Sequence, residues 1–192
     1  DGAIVAMYGG SDYSKIQLND ATQATMQGGS TFKVFELLAA LQKDMSTKTT
    51  FDGHSPQYFP QFKGGDNATG KVSNFGNEQK GRIDLRVALA HSVNTVFAQL
   101  NIKLAAPGTS ATGVRDAAIL AGLPKNTLGL DTNMANIFGT ASPRVIDMAN
   151  AYATIPAPGQ TAAPHTIPNA HAGDGRIRSK ARDPLPPAFP PN

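Results

Sequence analysis

The sequence predicts a mixed α/β chain, on three observations. Ala3–Tyr8 is a short apolar run closed by Gly9-Gly10, the pattern of a buried strand ending in a turn. From about Ser30 to Lys43 runs a helix that is apolar nearly all round, with Glu36 the sole charge between Val34 and Leu41. From Ile83 a helical period sets in, with Leu85, Ala88 and Leu89 followed by Val93, Val96, Phe97 and Leu100.

The elements follow in order. Ser11 to Gln27 is polar and leads to Gly28-Gly29, which allow a tight entry into the apolar helix. Met45 to Gly81 is rich in Gly, Asn, Asp and Lys and shows no period, so it reads as an irregular surface region. Within it Asn67-Ala68-Thr69 fits a glycosylation sequon. His91-Ser92-Val93-Asn94-Thr95 breaks the second helical stretch in two, with Asn94 or Thr95 capping the later half. Two further helices are expected from about Gly113 to Ala121, stopped by Gly122 and Pro124, and from Pro143 to Ala153. The second starts with Ser142 as cap and Pro143 at the first helical position. Asp174-Gly175 is a hairpin turn between His165–Ala172 and Arg176–Lys180. Residues 184–192 form a Pro-rich tail or linker with extended backbone.

The 192 residues, 40% hydrophobic with 19 Gly and 14 Pro, suffice for one domain with a real core, or most of one. There is no cysteine, hence no disulfide and no thiolate metal site. The four histidines, His54, His91, His165 and His171, lack zinc-type pairing, so no metal and no cofactor is expected. Net charge is +3 but the 17 basic residues are scattered, which excludes a nucleic-acid surface with its basic stripe. No apolar run reaches the roughly 18–20 residues of a membrane span. The chain opens at Asp1 inside what reads as a strand, so it is expected to be a piece of something longer.

Chemistry is concentrated at the mouth of the apolar helix. Ser30 and Lys33 are three residues apart and share a helical face, so hydroxyl and amine meet. A serine attacks only when something takes its proton, and a lysine does so only when neutral. Burial and the positive helix end both lower a lysine pKa there, and the same helix end offers N–H groups to a developing anion. The ordinary alternative is a capping serine with a solvated lysine. Against it, a capping box carries Glu or Gln where this helix has Lys33, and a first turn favours acids over lysine. Ser92 and Asn94, two apart, point apart on a continuous helix but project to one side from a turn. The alternative there is a pair of polar residues marking a helix junction.

Ser30-x-x-Lys33 followed by Ser92-x-Asn94 resembles the signature set of the penicillin-binding protein and serine β-lactamase superfamily. Gly2-Ala3-Ile4-Val5-Ala6-Met7-Tyr8-Gly9-Gly10, Asn19-Asp20-Ala21-Thr22-Gln23-Ala24 and Gly29-Ser30-Thr31-Phe32-Lys33 resemble the opening of the transpeptidase domain of class A (bifunctional) penicillin-binding proteins. Asn74-Phe75-Gly76, Leu85-Arg86-x-Ala88-Leu89-Ala90 and Met148-Ala149-Asn150-Ala151-Tyr152-Ala153-Thr154 resemble the same family, over roughly residues 1–180. The resemblance implies an α/β (α+β) domain, an antiparallel sheet flanked by helices, with residues 1–183 its N-terminal and central part. It further implies that Ser30 is the acylated nucleophile and Lys33 its proton acceptor. Ser92 would relay a proton to the leaving amine, and Asn94 would bind the substrate backbone and help hold Lys33. The Ser30 N–H would be half of the oxyanion hole.

By the same resemblance the reaction is D,D-transpeptidation of peptidoglycan stem peptides ending in D-Ala-D-Ala, on the extracytoplasmic face of a bacterial membrane, and β-lactam antibiotics acylate the same serine. The sequence departs from the pattern in Gly28, where the family usually has Pro, in Val34, often Pro, and in lacking a Lys-Thr/Ser-Gly triplet after Asp174–Lys180. That strand would donate the other oxyanion N–H, whose loss costs about 10²–10³ in rate. The 192 residues alone are therefore expected to be inactive or poorly folded, with the remaining part of the domain on a missing segment or second chain. Alternatives are a β-lactam-hydrolysing serine enzyme, for which no family-matching Glu follows Ser92, and a non-catalytic penicillin-binding sensor or scaffold.

Overall fold

A computed structural model describes residues 2–105, 112–157, 160–166, 169–171 and 177–180. In chain order the helices are α1 (Lys33–Leu41), α2 (Leu85–Ala90), α3 (Asn94–Leu104), α4 (Gly113–Ala121) and α5 (Val145–Thr154). The strands are β1 (Thr50–Asp52), β2 (Gln57–Tyr58), β3 (Lys71–Val72), β4 (Arg82–Asp84), β5 (Asn169–His171) and β6 (Ile177–Lys180). Among the described residues they pair as antiparallel two-stranded ladders, β1 with β4, β2 with β3 and β5 with β6. The irregular segment expected from Met45 to Gly81 thus carries three short strands and two 3-10 turns, Pro60–Phe62 and Phe75–Asn77. The residues of the expected Asp174-Gly175 turn and of the 184–192 tail lie outside the described residues, although β5 and β6 do pair on either side of that turn.

The chain forms two compact units. One comprises Gln27–Ala118 and Leu128–Ser142. Its core is α1 packed on α3, with Phe32, Phe35, Ala40, Leu85, Ala88, Val96, Phe97, Ala98 and Leu100 fully buried. Phe32 and Phe35 meet edge to face at 5.3 Å, an arrangement aromatic pairs favour. Lys43 donates to the Leu104 carbonyl at 2.7 Å and so caps the C-terminus of α3.

The other unit comprises Asp1–Met26, Ile119–Thr127 and Pro143–Asn192. Ala3–Tyr8 is extended there, tied by a parallel bridge from Ala3 to His165 and by the Ile4 N–H on the His165 carbonyl. It is not the buried strand the apolar run predicts: Val5 is 96% exposed and Tyr8 69%. The segment instead walls an apolar trough of about 550 Å³, with Val145, Ile146, Ala149 and Ala153 of α5 opposite. Helix α5 also starts two residues later than the sequence predicts. The Ser142 N–H is spent on the Leu128 carbonyl, Arg144 takes the cap position in extended conformation, and its guanidinium forks onto Asp147 at 2.6 and 2.7 Å. No helix among the described residues is long and apolar enough to cross a membrane.

Candidate active site

A 3-10 turn, Gly29–Phe32, runs straight into α1, so Ser30 stands exposed at its mouth while Lys33 is wholly buried. The entry is held from outside. The Gly28 N–H bonds the Ala141 carbonyl at 2.9 Å and the Gly29 N–H bonds the Gly139 carbonyl at 3.2 Å. Gly139 adopts φ 68, and a Cβ there would sit 2.1 Å from the Gly29 backbone, so this close approach needs glycine.

The Asp84 carboxylate caps α2 by accepting from the Val87 N–H at 2.9 Å. The helix ends in a Schellman turn, with the Ser92 N–H on Leu89 and the Val93 N–H on Ala88. Ser92 takes the left-handed position, φ 54, that glycine usually fills. This is what makes Ser92 and Asn94 converge, as a turn between helices predicts. Asn94 does not cap α3: the N-cap is Val93, which provides no side-chain bond. The cap comes from Asn74, buried 20 residues upstream of Asn94, whose Oδ1 accepts from the Thr95 N–H at 3.1 Å and the Thr95 hydroxyl at 3.2 Å. Asn74 is itself fixed by its Nδ2, which donates to the Gly53 and Glu78 carbonyls at 3.0 and 2.9 Å, and by its backbone N–H, which donates to Ser55 Oγ at 2.9 Å.

The Lys33 amine has four oxygens around it: Ser30 Oγ at 3.0 Å, Ser92 Oγ and the Ser92 carbonyl each at 2.8 Å, and Asn94 Oδ1 at 2.5 Å. The Asn94 amide is oriented by its Nδ2, which donates to the Ser73 carbonyl at 2.7 Å. Burial pushes Lys33 down to about 8. Two of the four oxygens, the Ser92 carbonyl and Asn94 Oδ1, only accept. A neutral amine with two N–H groups satisfies those two and turns its lone pair to a hydroxyl, while an ammonium with three donors reaches one hydroxyl as well. The arrangement thus suits an amine that takes a proton from one serine and passes it to the other. All four sequence-predicted residues, Ser30, Lys33, Ser92 and Asn94, meet at this one nitrogen.

Sequence reasoning assigned no role to Asn74, Gly139 or the Ser92 carbonyl. The first lay within the Asn74-Phe75-Gly76 run, but nothing local to it indicates a bond to a helix 20 residues on. Glu36 is fully buried one turn beyond Lys33, and neither carboxylate oxygen has a hydrogen-bond partner among the described residues. Burial raises it to about 8, with Lys43 opposing. The Asn67 amide nitrogen is engaged by the Phe62 and Lys71 carbonyls, which leaves the sequon side chain occupied. Among the described residues no group of three or more metal-ligating side chains is placed to hold an ion.

A family model described as the penicillin binding protein transpeptidase domain matches residues 1–186. Penicillin-binding protein 1A of Mycolicibacterium smegmatis is 33% identical over 184 residues, covering 92% of this chain and 22% of that protein. Its namesake from Mycobacterium tuberculosis is 32% identical, covering 92% of this chain and 21% of that protein. The chain therefore spans about a fifth of the length of these relatives. Among solved structures, Mycobacterium tuberculosis PonA1 in complex with penicillin V superposes with a TM-score of 0.77 at 33% identity, over 94% of this chain and 47% of that one. Penicillin-binding protein 1A from Haemophilus influenzae, at 23% identity and a TM-score of 0.74, shares the α/β fold. With the family match spanning nearly its whole length, this chain belongs to the transpeptidase domains of class A penicillin-binding proteins.

Proposed function

We propose that this chain carries the acylating half of a serine D,D-transpeptidase, with Ser30 as nucleophile. The observation that carries the reading is the buried Lys33 amine with two obligate acceptors and two hydroxyls around it. Neutral Lys33 takes the Ser30 proton as Oγ attacks the carbonyl of the penultimate D-Ala of a stem peptide. The Ser30 N–H faces the developing oxyanion. Lys33 passes the proton through Ser92 to the leaving nitrogen, terminal D-Ala departs, and a stem-peptide amine resolves the ester to form a cross-link. Asn94 hydrogen-bonds the donor backbone and keeps Lys33 aimed. A β-lactam acylates Ser30 by the same steps, except that its leaving nitrogen stays attached. The domain would work on the extracytoplasmic face of a bacterial membrane. The remaining part of the transpeptidase domain would supply the Lys-Thr/Ser-Gly strand.

The test is labelling of the protein carrying the complete domain with a fluorescent penicillin, followed by peptide mass spectrometry. The adduct is expected on Ser30, absent from Ser30→Ala, and slow to hydrolyse. Labelling elsewhere, or undiminished in Ser30→Ala, would overturn the reading. Rapid turnover of the adduct would instead make the enzyme a β-lactam hydrolase.

A further inference from the structure

Phe97 stands three residues after Asn94 on α3, so the two side chains share a face of that helix, the one turned toward α1. Asn94 sets its Oδ1 on the Lys33 amine. The fully buried Phe97 sets its ring face over the same nitrogen, 6.0 Å from the ring centre. An aromatic face is negative, and a cation at about this distance is drawn to it.

The contact matters because of what the amine lacks. Taking the Ser30 proton turns Lys33 into a buried ammonium, and a buried charge without a counter-ion is costly. Among the described residues no ion pair engages it. The charged groups on the surrounding elements are committed elsewhere or lie in water. The 3-10 turns Gly29–Phe32 and Met134–Phe138, both packed on α1, carry no titratable side chain. On α2, Arg86 is exposed and pairs with Asp84 at 2.8 Å, and His91 just beyond it is exposed. On α3, Lys103 lies over the Phe51 ring at 5.8 Å. On α4, whose Gly113 comes up against Ala39, Arg115 pairs with Asp116 at 3.2 Å. The segment around Asn74 holds Lys71, which is exposed, and Glu78, which pairs with Lys80 at 2.7 Å. Glu36, one turn along α1, is buried but keeps its proton up to about 8. Beside the four neutral oxygens, the Phe97 face is the other negative surface at the amine.

We propose that Phe97 is a positioning residue for acylation, its ring face stabilising the ammonium that forms as Lys33 takes the Ser30 proton. The inference rests on the transpeptidase reading, in which that proton then leaves through Ser92; the ring itself takes none. Phe97 thereby gives the amine enough basicity to accept a proton without a carboxylate partner, while part of it stays neutral and able to act. Packing alone also accounts for a buried phenylalanine, so the test varies the charge on the ring face at nearly constant shape.

The experiment replaces Phe97 of the complete protein with mono-, di- and trifluorophenylalanine, which drain the ring face, and with leucine in Phe97→Leu, which removes it. The second-order rate of labelling by a fluorescent penicillin is read from neutral to alkaline pH. Each protein is measured with Glu36 present and with Glu36→Gln, which removes the other buried group titrating near 8. The inflection is expected to fall stepwise along the fluorinated series, by about one unit in all, and at least as far in Phe97→Leu. An inflection that holds its place along the series, whether or not the plateau drops, overturns the inference and makes Phe97 a packing residue. Ser30 labelling of the unaltered protein upholds the transpeptidase reading in that case, whereas its absence overturns both.

Discussion

Replacing Asn94 by Asp is the sharpest probe of the Lys33 amine. The Asn94 Oδ1 lies 2.5 Å from Nζ, so the substitution sets a carboxylate against a buried lysine that now faces only neutral oxygens. With Lys33 at about 8, roughly one molecule in ten holds the neutral amine at pH 7. At an ordinary lysine value the share would be roughly one in three thousand. Acylation should therefore rise about tenfold per pH unit below 8 and level off above it. An opposite charge this close raises a pKa by about 1–3 units. In Asn94→Asp the inflection should accordingly move up by that much, with acylation at pH 7 falling roughly 10- to 1000-fold. The assay is the second-order rate of labelling by a fluorescent penicillin from pH 6 to 10. The substitution also removes the donor to Ser73, a loss that scales the whole profile without moving its inflection. An inflection that stays near 8 under a merely lowered plateau would show that Lys33 is not the titrating base.

Three further outcomes follow from the same geometry. Glu36 is ionised in the unfolded chain above 4.5 but holds its proton up to about 8 when folded, so its penalty is absent below 4.5, grows as pH rises and is complete above 8. The complete domain should lose roughly 3 kcal/mol between pH 4.5 and 7 through this group, and Glu36→Gln should flatten that slope in urea midpoints; parallel slopes would refute the burial argument. Gly139→Ala drives a methyl into the Gly29 backbone and should cost roughly 2–4 kcal/mol along with most Ser30 labelling, whereas Gly29→Ala, whose Cβ meets nothing within 4 Å, should cost about 1 kcal/mol in thermal unfolding. Asn74→Ala strips the acceptor from the first turn of α3 and should cost roughly 2–4 kcal/mol and slow acylation, read by calorimetry and by the same labelling assay.

What the sequence disclosed about the site was its local part. Ser30 and Lys33 sit at helical spacing, and spacing alone decides that they meet. Ser92 and Asn94 needed a turn, and the break in apolar period at His91 marked one. The sequence does not disclose which atoms of the turn are used. Serine rarely takes a left-handed backbone, so nothing in the residue type announced that the Ser92 carbonyl would face Lys33. The cap of α3 was misplaced for a related reason: Asn94 is a good capping residue, but Lys33 and Ser73 claim its amide and Asn74 supplies the cap from far along the chain. In the fold, α4 is placed as its Gly and Pro stop signals predict. Ala3–Tyr8 reads as buried because apolar pattern encodes what a segment is meant to cover, and its partners here leave Val5 in water.

The left-handed turn at Ser92 hands the amine two ligands from a single residue, and one of them belongs to the main chain. Mutagenesis reaches the hydroxyl but not the carbonyl. Trimming Ser92 to Ala should thus leave Lys33 tethered at the same spot by the peptide oxygen and Asn94, merely short of one exit for its proton. On the proposed mechanism, the acylation rate that variant forfeits measures the handover alone, uncontaminated by a wandering side chain.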